Sequence, residues 1–242
     1  MKKNKLVAFA TAGLPRATIK LSDGREVTMR AFAVKELKLL MMAHTSGTAQ
    51  DTQVLQILDQ CIETEGLSSK TLPSHEIERL YLELYKISKG SSLIPVQYRC
   101  TQDVDGEICN NPINVNINLN NVTVEGHERD TVELANGLTL KMRYPNVLER
   151  EYFNDYSEND VFNLAIRCIE SVDTGTEVMV VGEDVTAEEL SEVIEYLDEK
   201  SFSSLLEFVQ NIPTITTSFP LRCSKCGHKE VITLRGLSDF FE

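Results

Sequence analysis

Hydrophobic and polar positions follow a period of two, then 3.6, then two again along the chain. Around Ser22-Asp23-Gly24 the segments 18–21 and 25–30 alternate in polarity, which predicts a β-hairpin with an Asp-Gly turn. Three stretches then carry apolar residues at helical spacing. Leu37, Leu40 and Met41 fall on one face of 34–44, and Val54, Ile57, Leu58, Cys61 and Ile62 on one face of 52–64. Ile77, Leu80, Leu84 and Ile87 do the same within 73–89, where Pro73 opens the helix, Ser74 is the expected N-cap and Gly90 the stop.

Period two returns at 94–100 and at 113–124, where Val115, Ile117 and Leu119 alternate with polar residues. A second hairpin, 130–134 with 138–144, is predicted to turn at Asn136-Gly137 and to close at Pro145. Short helices are expected over 148–156 and 160–169, the latter burying Val161, Leu164, Ala165 and Cys168. A small hairpin, 168–173 with 177–181, surrounds Thr174-Gly175. Thr186 is placed to cap a helix over 187–197, with Glu188 and Glu189 in its first turn, and a further helix over 201–209 ends at Asn211-Ile212-Pro213. Strands 214–222 and 229–234 follow, and Gly236 leads to an apolar end with Phe240 and Phe241. The pattern gives an α+β fold, with helices around small antiparallel sheets and hairpins. Residues 1–90 form a hairpin and helical region, and residues 91–242 a mixed α+β region.

Composition adds little to this and charge adds more. The 242 residues are 42% hydrophobic and 25% charged, as in an ordinary globular protein. No apolar run approaches the roughly 20 residues that span a bilayer, so no membrane association is expected. The apolar stretch 6–10 behind the N-terminal lysines is shorter than a secretory signal core, so the chain is expected to stay inside the cell. The formal charge of −13 argues against nucleic acid as the main partner. Acidic residues gather at 149–160 and 183–199, readable as solvated helix faces or as a surface for a basic partner.

The candidate chemistry lies in the cysteines. Cys223-Ser224-Lys225-Cys226-Gly227 has the spacing of a zinc knuckle, in which two thiolates face one ion and the glycine lets the turn aim amides at sulfur. Cys100 and Cys109 enclose eight residues and form a knuckle with an enlarged tip, for which Asp105-Gly106 supplies a turn. Each pair is expected where two short strands meet, so that Cys100, Cys109, Cys223 and Cys226 share one structural zinc ion in a split, zinc-ribbon-like site of four cysteines. With 113 residues between the pairs, such an ion makes the two regions one interwoven unit. Other readings are a Cys-x-x-Cys redox pair, disulfides, or His228 in place of one cysteine. Cys61 and Cys168 are assigned to the core. His44, His75 and His127 form no triad or open metal site, Asp103 and Asp105 lack the remaining ligands of a calcium loop, and no phosphate- or dinucleotide-binding glycine pattern is present. No enzyme is expected, and catalytic and organic-cofactor residues are assigned to none.

A resemblance rests on motifs spread over nearly the whole chain. They are Met29-Arg-Ala-Phe-Ala-Val-Lys-Glu-Leu-Lys-Leu-Leu, Leu72-Pro73 opening a helix that runs to Gly90, and Gly137-Leu-Thr-Leu-Lys-Met-Arg-Tyr-Pro145. Cys223-Ser-Lys-Cys-Gly and the ending Leu234-Arg-Gly-Leu-Ser-Asp-Phe-Phe241 are the most specific. Together they resemble the baseplate hub assembly proteins of T4-like phages, the T4 bacteriophage base plate protein family. The chain departs from the family pattern at Cys100 and Cys109, where Cys-x-x-Cys is expected. The resemblance implies a late phage protein acting as an assembly factor or chaperone in the host cytoplasm, with hub and tape-measure proteins as partners. The alternative is a permanent structural subunit of the virion baseplate. Phe240-Phe241 is read either as a partner-facing anchor or as a terminus docked on its own core.

Overall fold

The computed structural model describes residues 5–46, 50–126, 129–135, 137–151 and 158–241. In chain order the elements begin with helix α1 (Lys5–Ala12), strands β1 (Arg16–Lys20) and β2 (Glu26–Arg30), and helices α2 (Val34–Ser46), α3 (Gln50–Cys61) and α4 (Ser74–Lys89). Strands β3 (Leu93–Arg99), β4 (Asp103–Val104), β5 (Glu107–Ile108), β6 (Pro112–Asn118), β7 (Thr123–Glu125), β8 (Thr131–Glu133) and β9 (Thr139–Met142) follow. Then come α5 (Val147–Glu151), α6 (Glu158–Arg167), β10 (Ile169–Asp173), β11 (Val178–Val180), α7 (Ala187–Glu195) and α8 (Glu199–Gln210). The chain closes with β12 (Thr214–Arg222), β13 (Lys229–Arg235) and α9 (Gly236–Phe241). The architecture is α+β with small antiparallel sheets, as the periodicity predicts. The turn residue Asn136, His127, residues 152–156 of an expected helix and Lys2-Lys3-Asn4 lie outside the described residues.

Two compact units emerge, and they do not follow the division at residue 90: one draws on Met1–Leu67, Glu78–Val124 and Thr214–Glu242, the other on Ser68–Ile77 and Glu125–Pro213. In the first, β1 and β2 pair from Arg16↔Arg30 to Lys20↔Glu26, and Val27 and Met29 are fully buried on one face. Met29 is core filler, whereas Leu37 and Met41 are exposed, contrary to the stripe expected on α2. The inward position on α2 belongs instead to Glu36, which is buried and meets the Arg30 guanidinium at 2.8 Å. A charge with a partner waiting at β2 overrides the apolar periodicity of the helix.

The rest of this unit places the cysteines. β3 pairs with β6 from Leu93↔Asn118 to Arg99↔Pro112, and β12 pairs with β13 from Thr216↔Arg235 to Arg222↔Lys229. Ile94, Ile117, Ile215, Leu234 and Phe240 form a buried cluster against which Val96, Phe219 and Ile232 pack. The long strand expected at 113–124 is interrupted by a turn of 3-10 helix at Leu119–Asn121, where Asn118 accepts a bond from the Asn120 amide. Glu78 on α4 is buried and accepts bonds from the Thr214 hydroxyl (2.9 Å) and the Ile215 amide (2.9 Å), which fixes the start of β12. Phe240 is 3% exposed, and the Phe241 ring lies 5.4 Å from Tyr81 and 5.2 Å from Tyr85. The aromatic end therefore docks on its own core, and the partner-facing reading of Phe240-Phe241 is overturned.

The second unit is built on a four-stranded sheet ordered β11-β10-β9-β8, covered by α6 and α8 through Leu164, Ala165, Leu205 and Phe208. Thr186 caps α7 in a capping box with Glu189, as its position predicts, and Asp198 caps α8. The Cys168 thiol lies just past α6 rather than on its stripe and is buried. Ser74 proves to be the first residue of α4, because Ile77 donates to the carbonyl of Pro73 and puts Pro73 before the helix. Gly126, at φ +136°, faces the Asn211–Pro213 backbone so closely that a Cβ there would sit 2.6 Å from the Pro213 Cα.

Candidate metal centre

β3 and β6 are joined by residues 100–111, and β12 and β13 by residues 223–228. The two turns are closed by the same backbone hydrogen bonds despite their unequal length. In the first, Cys100 donates to Asn111 (3.0 Å) and Asn110 donates back to Cys100 (3.0 Å). In the second, Cys223 donates to His228 (2.8 Å) and Gly227 donates back to Cys223 (3.0 Å). The residue after the second cysteine is left-handed in both, Gly227 at φ +75° and Asn110 at φ +49°. Asparagine is among the few residues that tolerate this conformation, so Cys109-Asn110 takes the place of Cys226-Gly227. The extra residues fold into the small β4–β5 hairpin, whose turn is Asp105-Gly106 at φ +57° and +87°, and the Cys109 amide closes it on the Gln102 carbonyl (2.9 Å). An eight-residue tip thus leaves a knuckle intact.

The closures bring the four thiols together. The Sγ atoms of Cys100, Cys109, Cys223 and Cys226 all lie within 4.8 Å of one another. Cys100 and Cys226 approach to 3.6 Å, and Cys109 and Cys223 to 3.8 Å. Both contacts run between the knuckles, at nearly twice the roughly 2.05 Å of a disulfide, and all four are free thiols. Cys100 and Cys223 are 1% exposed, and Ile113 packs against the group.

Backbone amides face the sulfurs: Gln102 toward Cys100, Asn111 toward Cys109, and Cys226 and Lys225 toward Cys223. The two amides on Cys223, aided by the neighbouring thiols, lower its pKa to about 6. At Cys100 the Gln102 amide favours the thiolate, but burial and the neighbouring sulfurs outweigh it and push the value up to about 12. Cys109 is raised in the same way. Negative charges on sulfurs this close repel one another, so several thiolates here need a cation between them. This set of four thiols can hold a metal ion.

The remaining candidates stand apart from this group. His228 points its ring at Glu230 (4.0 Å) and contributes its carbonyl, not its ring, to the knuckle. Asp103 accepts a bond from the Gly106 amide at an exposed turn. Cys61 and Cys168 are fully buried, and burial pushes their thiols up to about 11 and about 12. His75 is buried edge-on against Tyr144, with ring centres 5.3 Å apart. Cys223-x-x-Cys226 lies in a turn between two antiparallel strands, not at the head of a helix as in a thioredoxin-like pair. The amide donors Gln102 and Asn111 escape a reading of side chains, although the Asn-Asn pair after Cys109 signals a left-handed turn.

Among the described residues, no helix is long and apolar enough to cross a membrane. No solved structure matches the chain. It is similar to the protein named baseplate hub assembly protein gp26 of Enterobacteria phage T4, 24% identical over 216 residues that cover 89% of this chain and 92% of the phage T4 protein. Residues 14–242, which include both knuckles and the aromatic end, match the T4 bacteriophage base plate protein family, and the chain belongs to that family.

Proposed function

We propose that this protein is an assembly factor of the baseplate hub that binds hub and tape-measure proteins and carries one structural zinc ion. The observation that carries the assembly role is the similarity, over 89% of the chain, to a protein named for baseplate hub assembly. The zinc rests on the donor set. Zinc–thiolate bonds of about 2.3 Å in a tetrahedron put the sulfurs about 3.8 Å apart, and the closest pairs here stand at 3.6 and 3.8 Å. Four thiolates complete the coordination and leave no position for water or substrate, so the metal's role is to hold the two hairpins together. A non-catalytic role agrees with this. The low Cys223 pKa would suit a redox thiol, but its 1% exposure keeps it from an external disulfide.

As an assembly factor the protein works in the host cytoplasm. Co-expression with the hub and tape-measure proteins of the same phage tests this reading: a stable complex is expected, and failure to retain any of them would refute it. The family's own description names the base plate itself, which favours a second reading, a permanent baseplate subunit. Mass spectrometry of purified particles separates the two, since an assembly factor is depleted from them and a subunit is present in fixed number.

A further inference from the structure

We propose that the outer face of the β12–β13 hairpin docks an acidic segment of one of the proteins this chain helps to assemble; the inference rests on the assembly role and names the surface that serves it. Side chains alternate along a strand, so the register sorts the hairpin into two faces. Phe219, Ile232 and Leu234 point to the core. On the other face Arg222 stands opposite Lys229, Pro220 opposite Val231 and Ser218 opposite Thr233. All six are exposed, Val231 to 67%, and the two hydroxyls of the last pair share a 2.8 Å hydrogen bond. Lys225 adds a third exposed cation at the tip.

Three features make this face unusual in a chain of net charge −13. It carries no carboxylate from Ser218 to the tip, because Glu230 falls on the opposite face beside His228. Arg222, Lys225 and Lys229 enter no ion pair among the described residues. Arg222 and Lys229 are also direct cross-strand neighbours, a like-charge pairing that weakens a hairpin. The fold gains nothing from that pair, and an anionic partner would turn its cost into attraction. The three cations lie within residues 222–229, and the strand register sets Arg222 and Lys229 side by side on one face.

The partner fitted by this face is protein rather than nucleic acid. Next to the cations lie an apolar pair, Pro220 and Val231, and a hydroxyl pair, and aromatic rings for stacking bases are missing from the face. The strongly negative chain as a whole also repels a phosphate backbone. β13 is an edge strand of the β13-β12-β7 sheet, so an extended segment bearing Asp or Glu beside an aliphatic residue can lie along it with its carboxylates at the tip.

The test uses the full-length zinc-loaded protein co-expressed with the hub and tape-measure proteins. The double variant Arg222→Glu/Lys229→Glu should keep its metal and its melting temperature yet retain at least tenfold less partner, and Val231→Ser several-fold less. A charge reversal on other exposed lysines, Lys20→Glu/Lys200→Glu, should change nothing. Undiminished capture by the hairpin variants overturns the proposal while leaving the assembly role standing. If the wild type captures none of these proteins, both fall. Salt-sensitive binding of a mixed-sequence oligonucleotide that disappears in the double variant would assign the face to nucleic acid instead, and would also overturn it.

Discussion

The sulfurs of Cys100 and Cys226, 126 residues apart in sequence, lie 3.6 Å from each other. That proximity needs two knuckles whose backbones close alike, and they do so although one holds a hairpin that the other lacks. A tetrathiolate ion at this point would close a very long loop, and structural zinc of this kind is worth about 10–16 kcal/mol in apparent terms. Removing it with a chelator should therefore release the ends of both hairpins. Hydrogen exchange should accelerate at the amides of Cys100, Asn110, Cys223 and Gly227, while those of the β8–β11 sheet keep their protection at first. Unchanged exchange in the knuckles after chelation would contradict the role given to the metal.

Gly126 should be the least replaceable glycine among those described. A Cβ there would lie 2.6 Å from the Pro213 Cα, and its φ of +136° is hostile to any L side chain. Gly126→Ala is expected to cost about 2–4 kcal/mol in denaturant unfolding. Gly66→Ala, left-handed but with nothing within 4 Å, should cost only about 1 kcal/mol.

The buried Arg30–Glu36 pair predicts an acid transition. Burial pushes the Glu36 carboxyl up, but the Arg30 guanidinium, the Ala33 amide and Lys35 together outweigh it and hold it below its ordinary 4.5. A carboxyl depressed by folding contributes stability that is fully present above pH 4.5 and is lost as pH falls through the lower folded-state value. Glu36→Gln should flatten that part of the stability–pH curve. At neutral pH it should destabilise by about 3–5 kcal/mol, because Arg30 is left buried without its counter-charge.

Phe240→Ala should act on stability rather than on recognition. The ring is buried with Leu82, Ile94 and Ile215, and a cavity of that size costs about 3–5 kcal/mol. Under conditions where the variant remains folded, capture of hub proteins should match the wild type. A selective loss of capture at full stability would return the aromatic end to the role of an anchor.

Much of this was legible in the chain because the signals were local. The Asp23-Gly24 and Asp105-Gly106 turns, the Thr186 cap and the alternation of β12 and β13 are each decided within a few residues. The knuckles were legible as well, since cysteine spacing encodes which thiols can share an ion. What the sequence hid depends on which partner each polar side chain takes, even a few residues away, and periodicity does not record that. The inward turn of Glu36 on α2 is settled by Arg30 on another element, and the break after Asn118 by a side-chain bond to the Asn120 amide. Helix α1 has neither a polar stripe nor a cap to announce it, and is held at its end by Arg16, which donates to the Ala12 and Leu14 carbonyls. The basic face of the last hairpin exists only once the register is known.

Metal content of the purified protein, by elemental analysis of the wild type and of four single Cys→Ser variants, tests the account most directly. One zinc per chain is expected in the wild type. Each of Cys100→Ser, Cys109→Ser, Cys223→Ser and Cys226→Ser should lose most of it, and variants from either knuckle should destabilise the same cooperative transition. A wild type without metal, or full retention of the ion when Cys100 or Cys109 is replaced, would show that the two knuckles do not share a single site.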